Sequence, residues 1–261
     1  MTLNNPFKMK EMSPEGPYIL GDEQCTDIKI EYLRRGNTIL ASYATVATMS
    51  NIGLQRVKEQ IKDEETPMRL TLGSRLIQCK FRTLNYLFPI VTRQLTNQGI
   101  IIVYGNFEAY LVDILISAFQ ELKIENPEQE TLNMLAARGW EGKIDHIGQK
   151  LKVNIGKRQF LEKFKDIPLD FQGTLCKDPI IFLQKVADVR HLIAHSSGRI
   201  SEGLAKAYPG AGLKTGDVIQ LPVELPFDLH IFLVAFTDVF DKAFSEKYGW
   251  ERKTVSPESL V

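Results

Sequence analysis

The chain has no net charge. Thirty-two basic residues balance thirty-two acidic ones over 261 positions. A protein that holds nucleic acid through its overall field is usually basic, so any such contact here has to be local. Cysteine is scarce. Cys25, Cys79 and Cys176 lie far apart and form no C-x-x-C pair, which argues against a disulfide framework or a zinc knuckle and fits a reducing, cytoplasmic setting. The first residues, "MTLNNPFKMKEMSPEGP", are polar, are broken by three prolines and lack the apolar stretch of a signal peptide. There is no repeat of fixed period and no low-complexity tract, and strand signals are sparse.

One greasy run does stand out, "GIIIVYGNFEAYLVDILISAF". It carries Asn106, Glu108 and Asp113, which would be costly in lipid, so it reads as a buried helix and no membrane partner is expected. With 44% hydrophobic and 25% charged residues, the composition is that of a globular chain with enough apolar mass for a core.

The pattern along the chain is helical. Residues 1 to about 24 read as an irregular lead-in. A helix is expected from the N-cap Thr26 to about Lys62, with possible breaks at Gly36 and Gly53. Residues 68–97 read as a second helical stretch bending at Gly73 and Pro89, with Leu76, Phe81, Leu84, Leu87 and Phe88 as its buried side. Residues 100–122 form a central helix, with Tyr104, Phe107, Leu111, Ile114, Leu115 and Ala118 at spacings of three and four. Shorter helices follow near 130–152 and 156–165, and "IPLDFQGTLCKDP" reads as a loop. Asp178 and Pro179 make an N-cap and first-turn pair for a helix reaching His195, which "SSG" stops. "DVIQLP" reads as extended. A last helix over about 223–247 carries Leu225, Leu229, Phe232, Leu233, Phe236 and Phe240, and the polar tail after Trp250 is expected to fray. The expected class is an all-α helical bundle, divided into an N-terminal helical extension (1–97), a main helical domain (98–248) and a tail (249–261).

Chemistry concentrates in "VADVRHLIAHSSGRIS", residues 186–201. At 100° per residue, Phe182, Val186, Val189 and Ile193 form a core stripe. Arg190 sits at its flank, where its stem packs on apolar neighbours and its guanidinium reaches outward. His191 and His195 share the polar face with Gln184 and Asp188. His195 lies at the helix C-terminus, where the negative end of the dipole favours an imidazolium. Arginine offers a planar fork that matches phosphate, and histidine suits general acid or base work. Together they can bind and cleave a phosphodiester without a metal: the imidazole takes the proton from a ribose 2′-OH, and the arginine stabilises the charged transition state.

Other readings stand beside this one. A helix-terminal histidine also caps the last carbonyls. His191 and His195 have the spacing of two zinc ligands, but Leu192 stands where a metalloprotease needs glutamate, and Asp188 is the one third ligand nearby, so no metal and no cofactor is expected. Glu108 either pairs with Arg190 and fixes its pose, or it lies at the bundle surface or pairs with a lysine or arginine elsewhere. Ser196 and Ser197 turn the chain, with Ser196 able to touch a phosphate. Arg199, just past the turn, is a secondary RNA contact. Asp113 reads as solvated, and His146 and His230 as structural.

"VRHLIAHSSGRIS" resembles the signature of HEPN domains (higher eukaryotes and prokaryotes nucleotide-binding): an arginine, a polar residue, three further residues and a histidine. Arg190, His191 and His195 occupy those positions. "SSGRIS" is similar to the turn that follows the motif in several bacterial subfamilies, and "NFEAYLVDIL" resembles the family's earlier core helix, with Glu108 beside Phe107. The resemblance covers roughly residues 98–248. It implies a HEPN-like bundle that dimerises so that two motif helices line one cleft, and a metal-independent endoribonuclease leaving a 2′,3′-cyclic phosphate and a 5′-OH. It further implies a toxin–antitoxin or phage-defence setting with an antitoxin or other regulatory partner. By position, His195 is the acid/base residue, Arg190 the phosphate binder and His191 its assistant. Some members have lost catalysis, and the alternative reading is a non-catalytic module of the same fold that binds a partner protein or a nucleotide through the helix face bearing His191.

Overall fold

The computed structural model describes residues 24–72, 75–136, 139–167, 169–171 and 174–255. The expected irregular lead-in (1–23) and the bend at Gly73 lie outside the described residues. The chain is mostly helical, with eight α-helices among the described residues. Helix α1 spans Asp27–Gln60, opened by the Thr26 hydroxyl, which accepts from the backbone N–H of Lys29. It passes Gly36 and Gly53 without the expected breaks. Gly36 is needed for another reason: a Cβ there would lie 2.1 Å from Cε1 of His230, so the missing side chain lets α1 close onto the last helix.

The stretch expected as helix from residue 68 is instead a β-hairpin followed by helix. Strands β2 (Pro67–Leu72) and β3 (Arg75–Lys80) pair antiparallel, Pro67 opposite Lys80 and Leu72 opposite Arg75. Apolar residues at 68, 70 and 72 alternate with polar ones, and Gly73-Ser74 is a two-residue hairpin signal. Period two therefore prevails over the helical reading. Leu76 and Leu87, expected inside, are exposed, whereas Phe81 is buried.

Helix α2 (Phe81–Glu121) then runs unbroken through Pro89 and past residue 97. The division expected between 97 and 98 thus falls within a single helix. Tyr32, Leu33 and Leu40 of α1 also share one core with the later helices, so the early residues are part of the bundle. By length and composition α2 is apolar enough to cross a membrane, and 56% of its apolar window is buried inside the protein. The six apolar residues expected to face inward from the 100–122 segment, now the second half of α2, are all buried.

Short helices α3 (Pro127–Leu135), α4 (Trp140–Leu151) and α5 (Lys157–Lys163) lead to a second hairpin, β4 (Leu169–Phe171) with β5 (Thr174–Cys176), where a loop was expected. Helix α6 (Pro179–Ser196) begins as the sequence reads: the Asp178 carboxylate accepts from the N–H groups of Ile180 and Ile181. Helix α7 (Glu202–Ala207) precedes α8 (Leu225–Tyr248), the most enclosed element, whose side chains are buried on nearly every face. Phe236 of α8 stacks on Phe160 at 4.1 Å, within an aromatic row that also takes in Phe232, Phe240 and Phe244.

The tail does not fray directly after Trp250. Strand β6 (Lys253–Thr254) pairs with β1 (Gln24–Cys25), and Val255 is buried. Beneath that pair lies Asp241 of α8, fully buried. Its carboxylate accepts from the hydroxyl and the N–H of Thr26 and faces Arg252 at 3.6 Å. One turn earlier, Asp238 pairs with Lys29 and with Lys163. Two carboxylates on the central helix thereby tie together α1, α5 and the end of the described chain.

Candidate phosphate-binding site

Helix α6 is laid down by its apolar stripe: Phe182, Val186, Val189 and Ile193 are buried, joined by Ile180, Leu183 and Leu192. That fixes the rotation of the helix and hence the direction of every motif side chain. Arg190 turns toward α2. Its Nη2–H donates to Glu108 Oε2 at 3.3 Å, and its Cζ lies 5.9 Å from the centre of the Tyr104 ring. Of the two readings for Glu108, the structure has a part of each: it pairs with Arg190, and it lies at the bundle surface. The contact is open to solvent, the two side chains being 30% and 47% exposed.

The Tyr104 hydroxyl accepts from the Trp140 indole N–H at 3.1 Å, so α2 and the start of α4 meet as an aromatic pair beneath the arginine. Burial foremost, and then the charge of Glu108, hold the Tyr104 phenol protonated far above its ordinary range. Lys143, one turn into α4, stands over the Trp140 ring at 4.8 Å. Burial lowers its pKa, and the Glu108 carboxylate acts in the opposite direction. Lys143 and Trp140 were not picked out from the sequence, and Tyr104 was expected only as a core position. The spacing of Lys143 three residues after Trp140 is the local signal for that cation–aromatic contact.

The polar face of α6 forms a second set. Gln184 accepts from the Trp140 backbone N–H at 3.1 Å, satisfying one of the free donors at the start of α4, and donates to Asp188 at 2.9 Å. The Tyr208 hydroxyl donates to the other oxygen of Asp188. The one carboxylate near the histidines is therefore held by two neutral donors, and no group of three metal-ligating side chains gathers among the described residues. His191 and His195 are exposed, with ring centres 4.4 Å apart.

At the helix end, Ser197 adopts left-handed backbone with φ 51°, and the N–H groups of Ser197 and Gly198 both reach the Leu192 carbonyl. Ser196 is exposed on the last turn. Arg199 is exposed too, its guanidinium donating to the Gly216 carbonyl at 3.4 Å while its backbone bridges to Val218, the short extended piece expected in "DVIQLP".

His195 lies five positions after Arg190, an angle of about 140° around the helix. No hydrogen bond joins Arg190 to either histidine among the described residues. Asp113 pairs with Arg35 on the surface at 3.0 Å, His146 is exposed on α4, and His230 is buried in the core. Three grooves of about 450, 380 and 480 Å³ lie elsewhere on the molecule, and Arg190, His191 and His195 line none of them. Compared with known proteins, the chain matches no family model, no curated protein and no solved structure.

Proposed function

We propose that the chain is a HEPN-like, metal-independent endoribonuclease that works as a homodimer, in a toxin or phage-defence setting and under an antitoxin or other regulatory partner. The observation that carries the reading is the placement of Arg190: a solvent-reaching guanidinium, oriented by Glu108 and Tyr104, on the same helix as two exposed imidazoles. In the reaction, His195 removes the 2′-OH proton and the 2′-oxygen attacks phosphorus. Arg190 stabilises the charge that develops on the phosphoryl oxygens, and the 5′-oxygen leaves with a proton from an imidazolium, giving a 2′,3′-cyclic phosphate and a 5′-OH. The 140° between Arg190 and His195 is why a dimer is part of the proposal. A two-fold axis that brings two copies of α6 together supplies each arginine with the partner's histidine and doubles the local positive charge of a chain with no net charge. His191 assists from the same face, and Ser196 and Arg199 contact the strand beyond the turn.

The test is cleavage of RNA by purified protein in EDTA. Loss of cleavage in both His195→Ala and Arg190→Ala, with the helical circular dichroism intact, supports the roles. Cleavage that persists in both removes them.

A second reading is favoured by the same angular separation: a non-catalytic HEPN-like module that binds a partner protein or a nucleotide through the α6 face bearing His191. Its mark is RNA that is never cut at any protein concentration.

A further inference from the structure

We propose that Lys143 and Arg190 form a two-cation seat for a backbone phosphate of RNA, with the Glu108 carboxylate as the internal anion that the phosphate displaces. Three helices build it. Lys143 of α4 stands on the Trp140 ring at 4.8 Å, and Arg190 of α6 stands against the Tyr104 ring at 5.9 Å. The two rings are joined by the indole hydrogen bond at 3.1 Å and are almost wholly buried. The cations therefore share one fixed aromatic plate, which holds them by the negative faces of the rings and spares them the conformational search of free surface side chains.

Glu108 lies one turn along α2 from Tyr104, on the side of Arg190. It accepts from Arg190 at 3.3 Å, and its charge is felt at Lys143. Asp188 also acts on Tyr104, but it is held by Gln184 and Tyr208, so Glu108 is the carboxylate that answers the arginine and the one a ligand can displace. Arg190 gives one of its donors to Glu108, and Lys143 makes no ion pair of its own among the described residues. The Glu108 side chain is 47% exposed against 30% for Arg190, so a ligand oxygen reaches the carboxylate from solvent. A phosphodiester presents two unbridged oxygens carrying one charge, as a carboxylate does, and takes the same bidentate geometry at arginine. It can replace Glu108 without leaving either cation uncompensated.

This rests on the RNA reading above and adds a contact on α4 that the motif does not contain. The seat uses the Arg190 N–H that now serves Glu108, on the α2 side away from the histidines; the other terminal N–H groups are left for the phosphate being cut, so the seat holds the neighbouring phosphate of the strand.

The experiment separates the seat from the chemistry. A fluorescein-labelled single-stranded RNA 20-mer is titrated with full-length His195→Ala protein in EDTA at several salt concentrations, with anisotropy as the readout. Lys143→Met keeps the aliphatic stem over Trp140 and removes the charge. It is expected to weaken binding severalfold and to flatten the slope of log affinity against log salt by about 0.7, the value for one phosphate contact on a single strand. Lys143→Arg is expected to restore the slope, and Glu108→Gln to tighten binding. Affinity and slope unchanged in Lys143→Met, or no RNA binding by the His195→Ala parent, overturn the seat. Wild-type protein that binds with the Lys143-dependent slope yet never cuts overturns the nuclease reading and leaves the seat standing. Wild-type protein that cuts while Lys143→Met binds normally does the reverse. Adenosine monophosphate that competes as well as the 20-mer assigns the seat to a free nucleotide and overturns the strand contact.

Discussion

The Arg190 guanidinium donates to the Glu108 carboxylate at 3.3 Å, joining helices α6 and α2 across 82 positions of sequence. Both side chains reach water, so this pair contributes little to holding the bundle together. Its effect is on direction: it points the arginine at α2 rather than along the histidine face.

From that exposure, Glu108→Gln is expected to change the free energy of unfolding by less than about 1 kcal/mol, as solvent-exposed ion pairs do. Urea titration followed by circular dichroism measures it. A larger loss would make the pair a structural tie rather than a positioning contact.

Asp241 is the opposite case, fully buried and accepting from Thr26 beneath the pairing of β1 with β6. Asp241→Ala strips the Thr26 hydroxyl and N–H of their acceptor and leaves Arg252 facing no charge. A loss of about 3 kcal/mol is expected, the scale for breaking a buried charged contact on one side. The urea midpoint reports it, and a change under 1 kcal/mol would refute the clasp.

Gly36→Ala places a methyl into the His230 ring. Overpacking of this kind costs about 1–3 kcal/mol. His230→Ala opens the space, so the double variant should be more stable than the sum of the two single effects allows, which a double-mutant cycle reads directly.

His230 also sets a pH dependence. Burial lowers its pKa from 6.5 to about 4, and neither ring nitrogen has a hydrogen-bond partner among the described residues. The folded ring is therefore neutral where the unfolded one is charged. Its contribution is complete above pH 6.5 and is lost as pH falls from there toward 4. Stability should drop by about 2 kcal/mol between pH 7.5 and pH 5 from this group alone. Urea midpoints at the two pH values, compared with those of His230→Leu, isolate it. Equal pH dependence in the two proteins would exclude the assignment.

What the sequence made legible was local. Thr26 and Asp178 cap α1 and α6 because a side-chain oxygen reaches an N–H only two or three residues on, and the core faces of α2, α6 and α8 follow from spacing alone. The first hairpin was hidden because residues 68–80 contain enough apolar positions to satisfy a period near 3.6 as well as 2. The Gly73-Ser74 pair was the deciding cue. Arg190, His191 and His195 were visible as a motif because they lie within six positions. The plate beneath Arg190 was not, because Tyr104, Trp140 and Lys143 come from two other helices and only packing brings them to α6. The same holds for Asp238 and Asp241, which resemble ordinary helix-surface acids until α8 is seen to run through the interior.

The pairing of Gln24 with Thr254 means that the described chain enters and leaves the bundle at one spot. A short bridge between these residues would span a single strand-to-strand gap, so a permuted chain, joined there and opened at the tip between β2 and β3, keeps every helix–helix contact. Reporters attached at Gln24 and Thr254 themselves would likewise sit side by side, one constraint on how two copies bearing such labels can be spaced.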